Sequence, residues 1–134
     1  MKGRVSVKVG SEKMTFHFGL WVIERLELAF NAQLSEVYDT GRKDENDKPI
    51  FASKFFEAIG QNNHKFLANL LFWGRFFVYE LEEKEVDFNI AQAYLWIDEL
   101  GLESKEMLKI IETFNESVKS HLPEPKGDQK AKKK

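Results

Sequence analysis

Residues 66–81 of the chain, FLANLLFWGRFFVYEL, decide its fold. Four of these sixteen residues are phenylalanine, a tryptophan and a tyrosine stand among them, and the sequence on either side is more polar. A membrane-spanning helix needs about 20 largely apolar residues. This run is shorter, contains Asn69 and Arg75, and continues directly into the acidic residues 80–87. We therefore predict a helix at the centre of a folded domain and no membrane span.

Both sides of this predicted helix are apolar. At about 100° per residue, one arc is a typical core face, whereas large aromatic side chains dominate the opposite arc. A helix that is apolar nearly all round is normally buried on both sides, but aromatic residues are also enriched in protein interfaces. Both interpretations stay open for the second arc. The first arc comprises Phe66, Leu67, Leu70, Leu71, Gly74, Phe77, Val78 and Leu81, and the candidate partner-binding residues of the second are Phe72, Trp73, Phe76 and Tyr79.

The composition predicts one domain with few options for covalent or metal chemistry. A chain of 134 residues has the length of one domain, which we place over residues 1–122. The chain has no cysteine, which excludes disulfides, thiolate metal sites and a cysteine nucleophile and suits a reducing cytosol. Its first residues, MKGRVSVKV, are typical of a strand, so we predict no signal peptide.

Charge is unevenly distributed along the chain. The net charge is −2, and residues 123–134 hold five lysines against Glu124 and Asp128, or +3, so that the remainder carries −5. An acidic body argues against a nucleic-acid-binding surface, because such surfaces are usually basic. We predict that the lysine-rich residues 123–134 are a disordered, solubilising tail. Contact of this tail with nucleic acid or with an acidic partner is the alternative.

Period-two alternation predicts a β-hairpin over residues 3–18. Two alternating apolar runs are separated by a short turn that contains glycine. A lone hairpin is marginally stable in water, so we expect its apolar face to pack on helices. The apolar positions are Val5, Val7 and Val9 in the first run and Met14, Phe16 and Phe18 in the second.

Helical spacing of apolar residues predicts five helices after the hairpin. We place them at residues 20–38, 54–59, 62–81, 89–100 and 105–121. Residues 39–53 form a predicted loop, and its residues 41–49, GRKDENDKP, are too charged to bury themselves, so we predict that this part is mobile. The fold class is therefore α+β, mainly α, with an N-terminal β-hairpin packed on a bundle of four to five helices. The first helix depends on the spacing of Ile23, Leu26, Phe30, Leu34 and Val37.

Caps and apolar faces define the later helices. Asp87 or Asn89 is a suitable N-cap for the helix over 89–100, Gly101 a suitable stop, and Ser104 a suitable N-cap for the last helix. The expected buried residues are Phe51, Phe55, Phe56 and Ile59 around the short helix, Ile90, Tyr94 and Ile97 in the fourth helix, and Met107, Ile111, Phe114 and Val118 in the last.

No pattern in the chain indicates catalysis. The histidines His17, His64 and His121 stand apart without a second ligand at helical spacing, and the acidic residues 80–87 lack the spacing of a calcium loop. A glycine-rich phosphate loop, a GxSxG elbow and a dinucleotide fingerprint are all absent from the sequence. We therefore expect no enzyme activity, no metal and no cofactor.

The order of predicted elements resembles that of the tail assembly chaperones of long-tailed bacteriophages and gene transfer agents. The hairpin VSVKVGSEKMTFHFG resembles their opening unit, and LWVIERLELAFNAQLSEVY resembles the helix in which Leu26-Glu27 precedes an aromatic residue and a second leucine. FLANLLFWGRFFVYE, with its Trp73-Gly74 step, and the closing pair FNIAQAYLWIDELGLESKEMLKIIETFNESV are similar to the later helices. The likeness covers roughly residues 3–120.

The resemblance implies binding without catalysis. Such proteins coat the tape-measure protein, keep its apolar helices from aggregating and help to recruit tail tube protein, and coating a filament favours self-association. The resemblance also places the protein in the host cytoplasm and outside the mature virion. The alternatives are a small structural phage protein, such as a connector or tail-completion protein, and another protein-interaction adaptor.

Overall fold

The computed structural model describes residues 2–121, so the predicted lysine-rich tail at 123–134 lies outside the described residues. Two hairpins and five helices follow one another, which confirms the α+β, mainly helical fold class and its N-terminal hairpin. The elements are β1 (Arg4–Val9), β2 (Glu12–His17), α1 (Leu20–Phe30), β3 (Val37–Lys43), β4 (Pro49–Ser53), α2 (Lys54–Gln61), α3 (Asn63–Leu81), α4 (Ile90–Leu100) and α5 (Lys105–His121).

The first hairpin covers α3 with its apolar face. In the antiparallel pair β1–β2, Val5 lies opposite Phe16 and Val7 opposite Met14, and all four side chains are buried as predicted. The helix can approach this closely because of Gly74. A Cβ atom at Gly74 would lie 2.5 Å from Phe18 Cε1 and 3.3 Å from Phe16 Cβ, and so only a residue without a side chain fits there.

Phe18 joins the hairpin to both ends of the described chain. Its backbone N–H donates to the Gly3 carbonyl at 2.7 Å, and its carbonyl accepts a hydrogen bond from the buried Ser117 hydroxyl of α5. Its ring meets the Phe114 ring edge-on, with 6.0 Å between centroids. The core therefore closes between β2, α3 and α5.

The first helix is shorter than the sequence predicts. α1 ends at Phe30, not at residue 38, because Asn31 adopts the left-handed conformation (φ 51°) typical of a helix cap. The Glu27 carboxylate accepts the Leu34 N–H at 2.6 Å and holds the following turn against the helix. Leu34 is still buried from this turn, whereas Val37 is 61% exposed in a strand.

The predicted loop over residues 39–53 is a second hairpin. Tyr38 lies opposite Ala52 in β3–β4, and a turn in which Asp44 accepts backbone N–H groups joins the strands. Its charged residues face solvent, so the hairpin forms without burying them. Phe51 consequently lies in β4, 59% exposed, instead of packing on the core. Of the other expected residues here, Phe55 and Ile59 are buried, whereas Phe56 is 38% exposed.

The later helices begin and end at the predicted caps. Asn89 and Gln92 form a capping box at the start of α4, and the Ser104 hydroxyl accepts the Met107 N–H at 3.0 Å at the start of α5. Gly101 ends α4 with φ 83°. No helix within residues 2–121 is long and apolar enough to cross a membrane.

The buried face of α4 differs from the predicted one. Ile97 is buried, as expected, but Ile90 and Tyr94 are 41% and 43% exposed. Trp96 takes their place in the core because its ring packs edge-on against Phe16 of the hairpin at 6.3 Å. In α5, Met107, Phe114 and Val118 are buried as predicted and Ile111 is partly buried.

Candidate functional site

The four aromatic residues of the second arc lie half-buried on the outer side of α3. Phe72, Trp73, Phe76 and Tyr79 are neither enclosed in the core nor free in solvent. The first arc is different, since most of its members are buried and only Leu81 at the helix end is exposed. The structure thus agrees fully with neither interpretation of the second arc.

On one side of this arc, α1 contributes a tryptophan. The Trp21 ring stacks on Phe77 at 5.1 Å between centroids and on Phe76 at 5.9 Å. Trp73 meets the same ring edge-on at 5.8 Å. Trp21 itself is half-buried, so it supports the α3 rings without covering them.

On the other side, Phe88 packs on the arc from the segment between α3 and α4. Its ring meets Tyr79 at 5.0 Å and Phe72 at 5.6 Å, both edge-on. It also contacts Trp96 of α4 at 5.4 Å. Edge-on aromatic pairs contribute about 0.5–1.5 kcal/mol each beyond the area that they bury, so this group of rings is held in place.

Arg75 fixes the edge of the arc next to the hairpin. Its guanidinium carbon lies 5.3–5.6 Å from the ring centroids of Tyr79, Phe88 and Trp96. One guanidinium nitrogen forms an ion pair with Glu12 of β2 at 3.1 Å and donates to the Tyr79 hydroxyl at 3.2 Å. The side chain is only 11% exposed, and such sheltered cation–π contacts are stronger than exposed ones.

His17 borders the Trp21 side of the arc. Its ring meets Phe77 edge-on at 5.1 Å, and Arg4 Nε donates to His17 Nδ1 at 3.4 Å. Partial burial, followed by the positive charge of Arg4, lowers the pKa of His17 below its usual value. The neutral imidazole is therefore the form that this site favours.

Together these side chains form a continuous aromatic surface. We use that term for the half-buried residues Phe72, Trp73, Phe76 and Tyr79 of α3 with Trp21 and Phe88 on either side. Large aromatic side chains that are already ordered lose little conformational entropy when they bind. Aromatic residues are enriched in interfaces, and Trp and Tyr especially at the energetically important positions. The arrangement presents ordered apolar area of the kind that protein interfaces use.

The other groups considered from the sequence do not converge. His17 packs in the hairpin, His64 is exposed near the start of α3, and His121 ends α5. Among residues 2–121, no group of three or more His, Asp or Glu side chains is placed to hold a metal ion.

The sequence indicated the α3 part of the surface but not its flanks. Trp21 lies outside the Ile23–Leu26 face of α1, and Phe88 follows an acidic run, so no periodic pattern includes either of them. The only available signal was that each is a large aromatic residue off any predicted core face. Comparison of the chain with family models, curated proteins and solved structures found no match.

Proposed function

We propose that this protein is a non-enzymatic tail assembly chaperone of a long-tailed bacteriophage. In this role it binds the tape-measure protein and assists assembly of the tail tube. It acts in the host cytoplasm and leaves before the virion is complete. The observation that carries the proposal is the aromatic surface on α3.

The half-burial of these rings supports a binding role. A core residue has no area left to offer a partner, whereas each ring of the aromatic surface keeps part of its area exposed. At about 25 cal/mol per Å² of apolar area buried, covering six such rings favours association with an apolar helix. An amphipathic helix laid on a hydrophobic surface is a common mode of peptide recognition.

The element order gives further support, with one revision. The N-terminal hairpin, the aromatic helix and the two closing helices correspond to the units on which the resemblance rests. The second hairpin, β3–β4, replaces the end of the long helix and the loop that follow in the predicted order. The proposal therefore rests on α3 and its neighbours and not on residues 31–53.

Co-expression with the phage tape-measure protein tests the proposal. We expect the two proteins to form a soluble complex under conditions in which the tape-measure protein alone precipitates. Phe76→Ala should lower the affinity of that complex. Phe56→Ala is the control, because Phe56 is a phenylalanine on α2 that is 38% exposed and lies outside the aromatic surface. A tape-measure protein that precipitates regardless of this chain would contradict the chaperone role.

Mass spectrometry of purified virions provides a second, independent test. A chaperone is expected to be absent from them. Stoichiometric presence of this chain would instead support a structural connector or tail-completion protein.

A further inference from the structure

A groove runs along α1 and reaches the end of α5. Two neighbouring cavities of about 410 and 150 Å³ form it, and Glu24 and Glu27 line both of them. The groove follows α1 from Leu20 to Asn31, and none of the six rings of the aromatic surface lines it. It is not part of the aromatic surface.

The smaller cavity combines an apolar wall with acidic neighbours. Leu20, Ile23 and Leu34 supply the apolar wall. The Leu20 side chain is 52% exposed and so has apolar area that a ligand could cover. Glu24 and Glu27 stand beside it. A ligand suited to this cavity has an apolar side chain followed by positive charge.

The larger cavity extends the negative charge toward the end of α1. Glu36 joins Glu24 and Glu27 there, against the single positive charge of Arg25. The Arg25 guanidinium is directed over the Trp21 ring, with 5.0 Å from its carbon to the ring centroid. The backbone carbonyl groups at the C-terminus of α1 add further negative potential.

The chain's own sequence supplies a segment of this chemistry at this place. His121, the last residue of α5, lines the smaller cavity. Leu122 follows it, and residues 123–134 carry five lysines and a net charge of +3. Five residues span up to about 17 Å, whereas α1 rises only about 10 Å between Glu24 and Asn31. Lys126 and the lysines beyond it can therefore reach the part of the groove that lies along α1.

We propose that residues 122–134 dock in the α1 groove. Leu122 occupies the apolar end beside Leu20, and the lysines lie against Glu24, Glu27 and Glu36. This inference is independent of the tail assembly function, because it uses neither the aromatic surface nor a phage partner.

A spin label on the full-length chain tests the docking. The chain has no cysteine, so Ala131→Cys accepts a nitroxide at one position only. We expect loss of the backbone amide NMR signals of residues 24–36, relative to the reduced label. Raising the ionic strength to about 1 M, where the Debye length falls to about 3 Å, should restore them.

A charge reversal distinguishes docking from simple proximity, because residues 122–134 start next to the groove at His121 whether or not they bind to it. Glu24→Lys should restore the signals of residues 24–36, whereas Glu112→Lys, at an exposed acid of α5 outside the groove, should leave them lost. Unchanged signal loss in Glu24→Lys would overturn the proposal, and so would the absence of any signal loss in the spin-labelled chain without a charge reversal. A basic segment of another protein would then be the better candidate for the groove. A mixture of spin-labelled chains and isotope-labelled chains without a spin label tests whether the tail of one chain binds the groove of another. Loss of the residue 24–36 signals in this mixture would also overturn docking within one chain.

Discussion

Replacement of Gly74 by alanine tests how closely the first hairpin packs on α3. The new Cβ would lie 2.5 Å from Phe18 Cε1 and 3.1 Å from Phe18 Cδ1, closer than van der Waals contact allows. The Phe18 ring is fully buried against Phe114 and Phe16, so it cannot move aside freely. Overpacking of this kind typically costs about 1–3 kcal/mol.

Helix propensity acts in the opposite direction. Alanine in place of glycine favours a helix by about 1 kcal/mol, so we expect Gly74→Ala to lower the free energy of unfolding by up to about 2 kcal/mol. Gly60→Ala in α2 is the matched control, because no atom from outside the adjoining helix backbone and the two neighbouring residues lies within 4 Å of the Cβ added there. That substitution should raise the free energy of unfolding by up to about 1 kcal/mol.

Urea unfolding followed by circular dichroism measures both substitutions. With equal m-values, the difference between the two variants isolates the steric term, expected at about 1–3 kcal/mol. Phe18→Leu in the Gly74→Ala background should recover part of the loss, as a double-mutant cycle would show. A Gly74→Ala chain as stable as Gly60→Ala would refute the close packing.

Three further predictions concern the core, a helix cap and pH. Phe114→Ala, at a ring that is 1% exposed, should lower the free energy of unfolding by about 3–5 kcal/mol. Phe76→Ala should lower it less, because the Phe76 ring is only half-buried. Equal losses for the two variants in urea unfolding would mean that Phe76 is a core residue. Asn89→Ala should cost about 1 kcal/mol through loss of the α4 capping box, and an unchanged urea midpoint would contradict that role. Because the folded pKa of His17 is lowered, the unfolded chain binds the extra proton. The contribution of His17 to the free energy of unfolding is therefore complete above its unfolded pKa of about 6.5, and it is lost as the pH falls through its folded pKa. His17→Gln should flatten the fall in stability as the pH drops below about 6.5.

The parts of the fold that sequence predicts well have a local cause. Apolar and polar residues alternate along β1 and, from Lys13 onward, along β2. α4 and α5 begin at polar side chains that accept backbone N–H groups. These features act over three or four residues. Their positions in the structure therefore agree with the predicted boundaries within a residue or two.

The parts that were mispredicted depend on distant contacts or on solvent. Leu34 and Val37 continue the helical spacing of α1, but the Glu27–Leu34 hydrogen bond turns the chain before Val37. Neither strand of the β3–β4 hairpin has a buried face. Its sequence therefore needs no alternation of apolar and polar residues, which is the pattern that would have indicated a strand. For the aromatic surface, the α3 rings follow from helical periodicity, whereas the contacts of Trp21 and Phe88 exist only once α1 and the α3–α4 segment have packed.

The hydrogen bond between Ser117 and Phe18 spans 99 residues of sequence, which has a consequence for synthesis on the ribosome. At about 5–20 residues per second, α5 emerges roughly 5–20 s after the hairpin. α3 is made earlier and can shelter one side of the Phe18 ring, but Phe114 arrives only with the last helix. During that interval the nascent chain carries an uncovered apolar site, so its final closure is a late event of translation, and a chain that is interrupted before α5 keeps that site open.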